Sequence, residues 1–309
     1  MRVIVAKGID IGDLQVADIL IEHVDIHNIK KYDGCDDIEI VIATRAFAKE
    51  IAKISLPSLK LVQLTSAGYD NVPIELFKAK GVAVCNAGAV YSPAMAEMIV
   101  YGIMRMQKRY YKNPNHVFLR PLRGYKYISE LGGKTAMIFT AGNVGAHTAK
   151  LLASFGVKVY GYDKFVKEKE GFLKIINTRE ALIDTLPECD FVISALPHMP
   201  DTEDFVNEEL LSAFKRDSVF VNVGRRKTIY ENDLYTALKN KSIRGAVLDM
   251  FEKIPNPITN KFRRLSNVIV FPGVTAISRE TNQRLREHIT NNISCVFEGG
   301  SPQCIINRE

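Results

Sequence analysis

MIFTAGNVGAHTAKLLASFGVKVYGYDK, residues 137–164, passes from an apolar stretch through a glycine turn and a helical pattern into a second apolar stretch that ends on an acid. Strand, turn, helix, strand and terminal carboxylate is the order that dinucleotide binding needs. Gly142 lets the backbone approach a pyrophosphate, and Gly145 lets the helix pack closely on its sheet. Asp163 lies 21 residues past Gly142, near the spacing of ~20 at which a carboxylate accepts ribose hydroxyls. The helix N-terminus adds donors and a favourable dipole. Thr140 replaces the first glycine of the fingerprint and tightens or distorts the turn unless its backbone angles are ordinary. A lone T-x-G-x-x-G also fits a plain strand-to-helix turn; the flanking strands and Asp163 favour the cofactor. The carboxylate points to NAD rather than NADP, while Lys164 beside it offers a cation to a 2'-phosphate.

Outward from this stretch, short β-rich apolar runs alternate with helical patterns, the signature of parallel sheets covered by helices. RVIVA, IEIVIA, KLVQL and VAVCN mark strands in the first 86 residues; AMIFT, VKVYGYD, FVISAL, SVFVNV, AVLDMF and VIVFPG mark them between 136 and 273. Two α/β sheets follow, and 309 residues are too many for one comfortable core. Pro93 is expected to open a long helix through AMAEMIVYGIMRMQKRYY, a spine joining the domains. SRETNQRLREHITNNISCVFEGG reads as a second long helix, started at Ser278 and closed by Gly299 and Gly300. The predicted organisation is a discontinuous first domain, 1–98 plus 277–309, around a contiguous second one, 99–276.

The net charge of +6 arises from 41 Lys/Arg scattered among 35 Asp/Glu, a solvated surface rather than a nucleic-acid footprint. Five cysteines, odd in number and without a C-x-x-C pair, argue against a disulfide framework and against a zinc site. A reduced, cytoplasmic setting is expected, with no metal. No basic-then-apolar leader opens the chain, and no apolar run approaches the ~18 residues of a membrane span.

Six motifs stand in one order: LTSAGYDNVP, NAGAVYSPAMAE, AGNVG, LPHMPDT, VNVGRR and AVLDMFEKIP. Together, from about residue 60 to 280, they resemble the D-isomer-specific 2-hydroxyacid dehydrogenases, the family of phosphoglycerate, glycerate and D-lactate dehydrogenases. The resemblance implies a Rossmann-like doubly wound parallel sheet for NAD, a smaller flavodoxin-like α/β substrate domain, a cleft between the domains, a small carboxylate substrate and a homodimer. It assigns Ser66, Ala67 and Gly68 to the substrate loop, where the amides of Ala67 and Gly68 form an anion nest; Gly68 equally fits a tight turn before Pro73. Tyr91 joins this substrate set. Arg225 matches the catalytic arginine, whose planar fork grips a 2-oxo acid and polarises its carbonyl. Asp249 matches the aspartate that orients the nicotinamide carboxamide, and Asn143, Val144, Leu196, Val223, Gly224, Gly273 and Ala276 match further cofactor contacts. His198 falls near the adenine end as a solvated loop residue, and Arg226 stands where the family usually has glycine.

The family's proton donor is a histidine in a P-H pair, held by a glutamate from an E-P pair. This chain reads FPGVT and FEKIP, which places Gly273 and Ile254 at those positions. A positioned general acid contributes about 100- to 10,000-fold, and a buried glutamate without its histidine would be costly, so the joint loss describes a settled alternative site. Glu252, Tyr91, Ser92, Tyr230 and His116 are the groups nearest to a replacement, with ordinary packing or exposure as the other reading of each. Three functions remain open. The first is an NAD-dependent oxidoreductase of weak or altered activity. The second is a binding protein that senses NAD(H) or a carboxylate metabolite, and the third is hydride abstraction from a substrate with no ionising hydroxyl.

Overall fold

The computed structural model describes residues 2–12, 19–108, 128–249 and 261–307. The chain divides into two compact units, Met1–Tyr91 with Ser278–Glu309, and Ser92–Ile277. The division falls inside one helix, where the sequence suggests a boundary near residue 98.

Unit 1 holds five parallel strands: β1 (Arg2–Ala6), β2 (Leu20–Val24), β3 (Ile38–Ala43), β4 (Leu61–Leu64) and β5 (Ala83–Cys85). Their spatial order is β2-β1-β3-β4-β5, the flavodoxin-like winding that reverses between β1 and β3. Val, Ile and Leu dominate because both faces are covered, as parallel sheets require. Ile4, Val41 and Val62 face one cluster with Phe47 of α1 (Arg45–Ile51) and Phe77 of α2 (Ile74–Ala79). Val3, Val5, Ile40 and Ile42 face the other, against Ile289 and Ile293 of the C-terminal helix (Arg279–Phe297). That helix starts as its sequence predicts: Ser278 Oγ accepts from Thr281 N at 3.0 Å, and Gly299 follows its end with φ +76°.

Helix α3 (Gly88–Gln107) departs from the expectation that Pro93 opens it. It starts five residues earlier, where Asn86 Oδ1 accepts from Gly88 N at 3.2 Å, and Pro93 lies inside it. A proline cannot donate an N–H along the helix, and the first turn is held by the Asn86 side chain together with Val90 N, which donates to Ala87 O at 3.0 Å.

Unit 2 holds β6 (Thr135–Phe139), α4 (Asn143–Ser154), β7 (Lys158–Tyr162), β8 (Lys174–Ile176), α5 (Arg179–Thr185), β9 (Phe191–Ser194), α6 (Glu208–Ser212), β10 (Val219–Asn222), α7 (Glu231–Lys239), β11 (Gly245–Leu248) and β12 (Val268–Val270). The seven strands are parallel in the order β12-β11-β10-β9-β6-β7-β8, a doubly wound Rossmann-type sheet. Phe139, Val192, Phe220 and Leu248 build the core on one face. Ile138, Ile193, Val221 and Val247 build it on the other with Ile99, Ile103 and Met106 of α3. A Cβ on Gly102 would lie 2.7 Å from Val247, so α3 packs at a distance only glycine permits there. Edge strands β2 and β8 are additions to the ten that the sequence predicts.

Candidate active site

Because the strands of unit 2 run parallel, their carboxyl ends share one edge. That edge carries Thr140–Gly145 beyond β6, Asp163 beyond β7, Leu196 beyond β9, Val223–Arg225 beyond β10, Asp249 beyond β11, and Gly273 to Ala276 beyond β12. The winding reverses between β6 and β9, where ligands of such sheets sit. Ser66, Ala67, Gly68 and Tyr91 belong to unit 1.

Thr140 does not have ordinary angles. Its φ is +80°, a left-handed conformation that costs a branched residue about 1–2 kcal/mol. Thr140 N donates to Tyr162 O at 2.7 Å, and its hydroxyl accepts from Gly142 N at 3.3 Å. The two remaining glycines serve different ends. A Cβ on Gly145 would stand 2.1 Å from Thr140 O, so the fold itself demands glycine. Gly142 has φ −67°, and its Cβ would meet only Thr140 Oγ1 at 3.4 Å, an ordinary contact. Nothing in the fold requires glycine at 142, and its missing Cβ keeps clear the approach to the first amides of α4. Those amides, of Asn143, Val144 and Gly145, have no side-chain cap and no acid in the first turn. The cradle therefore fits a pyrophosphate.

Asp163 is bound to the same turn. Oδ2 accepts from Ala141 N at 2.9 Å, and Oδ1 accepts from Phe165 N at 2.9 Å and Val166 N at 3.0 Å. Burial opposes its charge, but these amides outweigh burial and hold the carboxyl below its usual range. Lys164 is committed to Asp201, with Nζ to Oδ2 at 2.6 Å. Phe165 is 85% exposed beside this carboxylate, a flat apolar face that motif reading passed over. His198 departs from its expectation: it is half-buried, and its Nε2 is enclosed without a hydrogen bond, 3.8 Å from Glu203 Oε2.

Beyond β10, a Cβ on Gly224 would stand 2.7 Å from Leu196 O, which fixes glycine at that position. Arg225 is pinned through its backbone, donating from N to Leu196 O at 3.1 Å and accepting at O from Thr228 Oγ1 at 2.6 Å. Asp249 is buried. It accepts from Val274 N at 3.1 Å and Thr275 Oγ1 at 2.5 Å, and its carbonyl accepts from Gly273 N at 3.2 Å. Burial pushes this carboxyl above its ordinary value, partly offset by those bonds. Gly273 has φ +71°, a conformation that side chains rarely adopt. A histidine at this position would have to adopt that conformation. Ile254, Glu252 and His116 lie outside the described residues. Ser92 is buried, and Tyr230 is exposed at the start of α7.

In unit 1 the loop after β4 is anchored from both sides. Ser66 Oγ donates to Gly68 O at 2.7 Å, and Asn86 Nδ2 donates to Ala67 O at 2.9 Å. Asn86 O lies 3.0 Å from Nε2 of buried His288, while Asn292 Nδ2 donates to Gln63 Oε1 at 2.6 Å. Among the described residues the amides of Ala67 and Gly68 have no acceptor. The Tyr91 hydroxyl donates to Thr65 O, and burial pushes the phenol up. Its ring helps line a cavity of about 420 Å³ at the ends of β1, β3 and β4, with Gly8, Asp10, Thr44, Thr65 and Arg286.

Residues 98–274 match the family model described as D-isomer specific 2-hydroxyacid dehydrogenase, NAD binding domain. A glyoxylate reductase of Thermofilum pendens is 30% identical over 82% of this chain and 76% of its own, and one of Korarchaeum cryptofilum is 28% identical over 91% and 85%. An acyclic imino acid reductase, solved with NADPH and D-Arg, superimposes with a TM-score of 0.80 at 24% identity, covering 99% of this chain and 100% of its own, a likeness of fold.

Proposed function

The chain belongs to the D-isomer specific 2-hydroxyacid dehydrogenase family, oxidoreductases acting on CH–OH groups, and from that membership we propose that it transfers hydride between a nicotinamide dinucleotide and a small 2-oxo or 2-hydroxy acid. The observation that carries this reading is the edge of unit 2, where the turn at Gly142, the carboxylate of Asp163 and the pinned Arg225 stand at the ends of β6, β7 and β10. The amides of Asn143, Val144 and Gly145 hold the pyrophosphate, Asp163 the adenosine ribose, and Asp249 the nicotinamide end, with Leu196, Val223, Gly224, Gly273 and Ala276 lining the path between. The dinucleotide supplies or receives the hydride. Arg225 takes the substrate carboxylate and draws charge from its C2 oxygen; within unit 1, the amides of Ala67 and Gly68 are suited to a carboxylate. NAD is preferred over NADP: a carboxylate at 163 repels a 2'-phosphate, and Asp201 already neutralises Lys164. A homodimer in the cytoplasm completes the proposal.

Oxidation of NADH, followed with glyoxylate, pyruvate, hydroxypyruvate and branched 2-oxo acids, tests it. Arg225→Ala is expected to lower kcat/KM by about 100-fold or more; unchanged turnover in that variant would remove the mechanism. The left-handed turn at Gly273 favours a second reading, an NAD(H) sensor without turnover. Calorimetry that finds dinucleotide binding with no reduction of any acid selects it.

A further inference from the structure

A loop binds an anion through paired amides only where those amides are turned the same way, and a trans peptide offers a means of turning them: its N–H points away from its own C=O. Fixing the carbonyl of one residue therefore aims the amide of the next. The loop after β4 has four successive carbonyls fixed. Thr65 O accepts from the Tyr91 hydroxyl, Ser66 O from Ala87 N at 3.0 Å, Ala67 O from Asn86 Nδ2 at 2.9 Å and Gly68 O from Ser66 Oγ at 2.7 Å. Three of these four donors belong to residues 86–91, between the end of β5 and the first turn of α3. The carbonyls of Ser66 and Ala67 are drawn towards residues 86 and 87, so the amides of Ala67 and Gly68 point the other way.

Every polar group of Asn86 is engaged in this arrangement. Its N donates to Cys304 O at 3.1 Å, its Oδ1 accepts from Gly88 N at 3.2 Å, and its O lies 3.0 Å from His288 Nε2 and accepts from Gln63 Nε2 at 3.4 Å. The bond from Gly88 N requires oxygen on that side of the amide, which leaves the nitrogen to face Ala67 O. Behind Asn86, buried Asn292 ties the C-terminal helix to the sheet and to the segment that follows the helix: its Nδ2 donates to Gln63 Oε1 at 2.6 Å, and its Oδ1 accepts from Gln303 N at 2.8 Å. Ile305 then pairs antiparallel with Cys85, flanked by Ile306 N donating to Val84 O at 2.8 Å and Asn307 Oδ1 accepting from Val84 N at 2.9 Å. All of these groups belong to unit 1.

We propose that Asn86 is a positioning residue: its side chain, braced by the C-terminal helix and the segment after it, sets the Ala67 and Gly68 amides for a carboxylate before any dinucleotide is bound. This rests on the reading above, in which that loop suits the carboxylate of a 2-oxo acid. Asn86 acts through the loop. The carboxylate is the same in the ground state and in the transition state, so the effect of Asn86 falls on KM rather than on kcat. A merely structural role would lower the folded fraction, and with it kcat, at unchanged KM.

The test compares the full chain with Asn86→Ser, whose hydroxyl can still accept from Gly88 N but is too short to reach Ala67 O. Oxamate, a non-reducible analogue of pyruvate, is titrated without dinucleotide while the amide resonances are followed by NMR. The native amides of Ala67 and Gly68 are expected to shift, and the variant to bind oxamate at least about tenfold more weakly, with NADH bound as tightly as before. Reduction of glyoxylate should show KM raised by at least about tenfold and kcat within about threefold. Should the amide spectrum show that Asn86→Ser does not fold, Asn86→Thr, which keeps more of the volume, takes its place. Equal oxamate affinity in variant and native chain overturns the inference and leaves the reading standing, as does a fall in kcat at unchanged KM. Native amides that respond only once NADH is added overturn it too, again with the reading intact, and native amides that never respond remove the loop from that reading as well. Oxamate bound through these amides in a chain that binds no NADH supports the inference and removes the reading.

Discussion

At the scale of single residues, the two glycines of the turn separate folding from binding. Gly145→Ala drives a Cβ into the Thr140 carbonyl and is expected to cost about 1–3 kcal/mol or more in urea unfolding. Gly142→Ala meets only an ordinary contact and should cost less than about 1 kcal/mol, yet weaken dinucleotide binding by at least about tenfold, because the methyl occupies the approach to α4. Equal losses of stability in the two variants would contradict this division. Gly273→His is expected to lose about 1–2 kcal/mol, since an L-residue must adopt φ near +71°, and to gain less than about tenfold in pyruvate reduction even beside Ile254→Glu. A larger gain would show that the turn relaxes readily into a histidine-bearing form. The sequence exposes that Thr140, Gly273 and Ile254 break a pattern, because identity suffices for that. It does not expose the left-handed angles at Thr140 and Gly273, the bond from Tyr91 to the Thr65 carbonyl, or the exposure of Phe165, since each depends on where a neighbouring loop lies.

At the scale of elements, the central strands are legible as apolar runs, whereas edge strands β2 and β8 are not. β2 sets Glu22 and His23 among its apolar residues and buries only Val24, as an edge exposed to solvent allows, and β8 is a three-residue strand, Lys174–Ile176, too short to stand out as an apolar run. They are also the strands that make both windings complete, so the topology needed the structure. The start of α3 was hidden for a different reason: Pro93 advertises a helix start, while the anchor that begins it is the side chain of Asn86. The C-terminal helix carries a consequence for pH. Burial holds the His288 imidazole below its ordinary value, against the opposing bond to Asn86 O. Below about pH 6.5 the unfolded chain therefore binds the proton more readily, so the stability is present above that pH and is lost as pH falls through the folded value. Urea midpoints measured between about pH 7 and pH 5 should fall for the native chain, and the fall should shrink in His288→Gln. A slope unchanged by that substitution would place the acid sensitivity in another group.

At the scale of the whole molecule, each unit has the apolar interior that an independent transition requires. Unit 1 buries two clusters about its five-stranded sheet, and unit 2 buries two about its seven-stranded sheet. The proposed dinucleotide contacts lie in unit 2, from Gly142 to Ala276, whereas Ser66, Ala67 and Gly68 lie in unit 1. A ligand that binds only the folded form stabilises by RT ln(1 + [L]/Kd), about 2.7 kcal/mol at a hundredfold excess over Kd. In a unit of this size that amounts to a rise of roughly 5–10 °C in Tm. Calorimetric scans with and without NADH should therefore resolve two transitions, of which one moves by this amount and the other stays. Asp163→Ala should abolish most of the shift, because the ribose loses its acceptor and the glycine turn loses the carboxylate bound to Ala141 N. A single transition that moves as a whole would mean that the two interiors melt together, and the binding energy would then be shared by residues beyond the edge of the seven-stranded sheet.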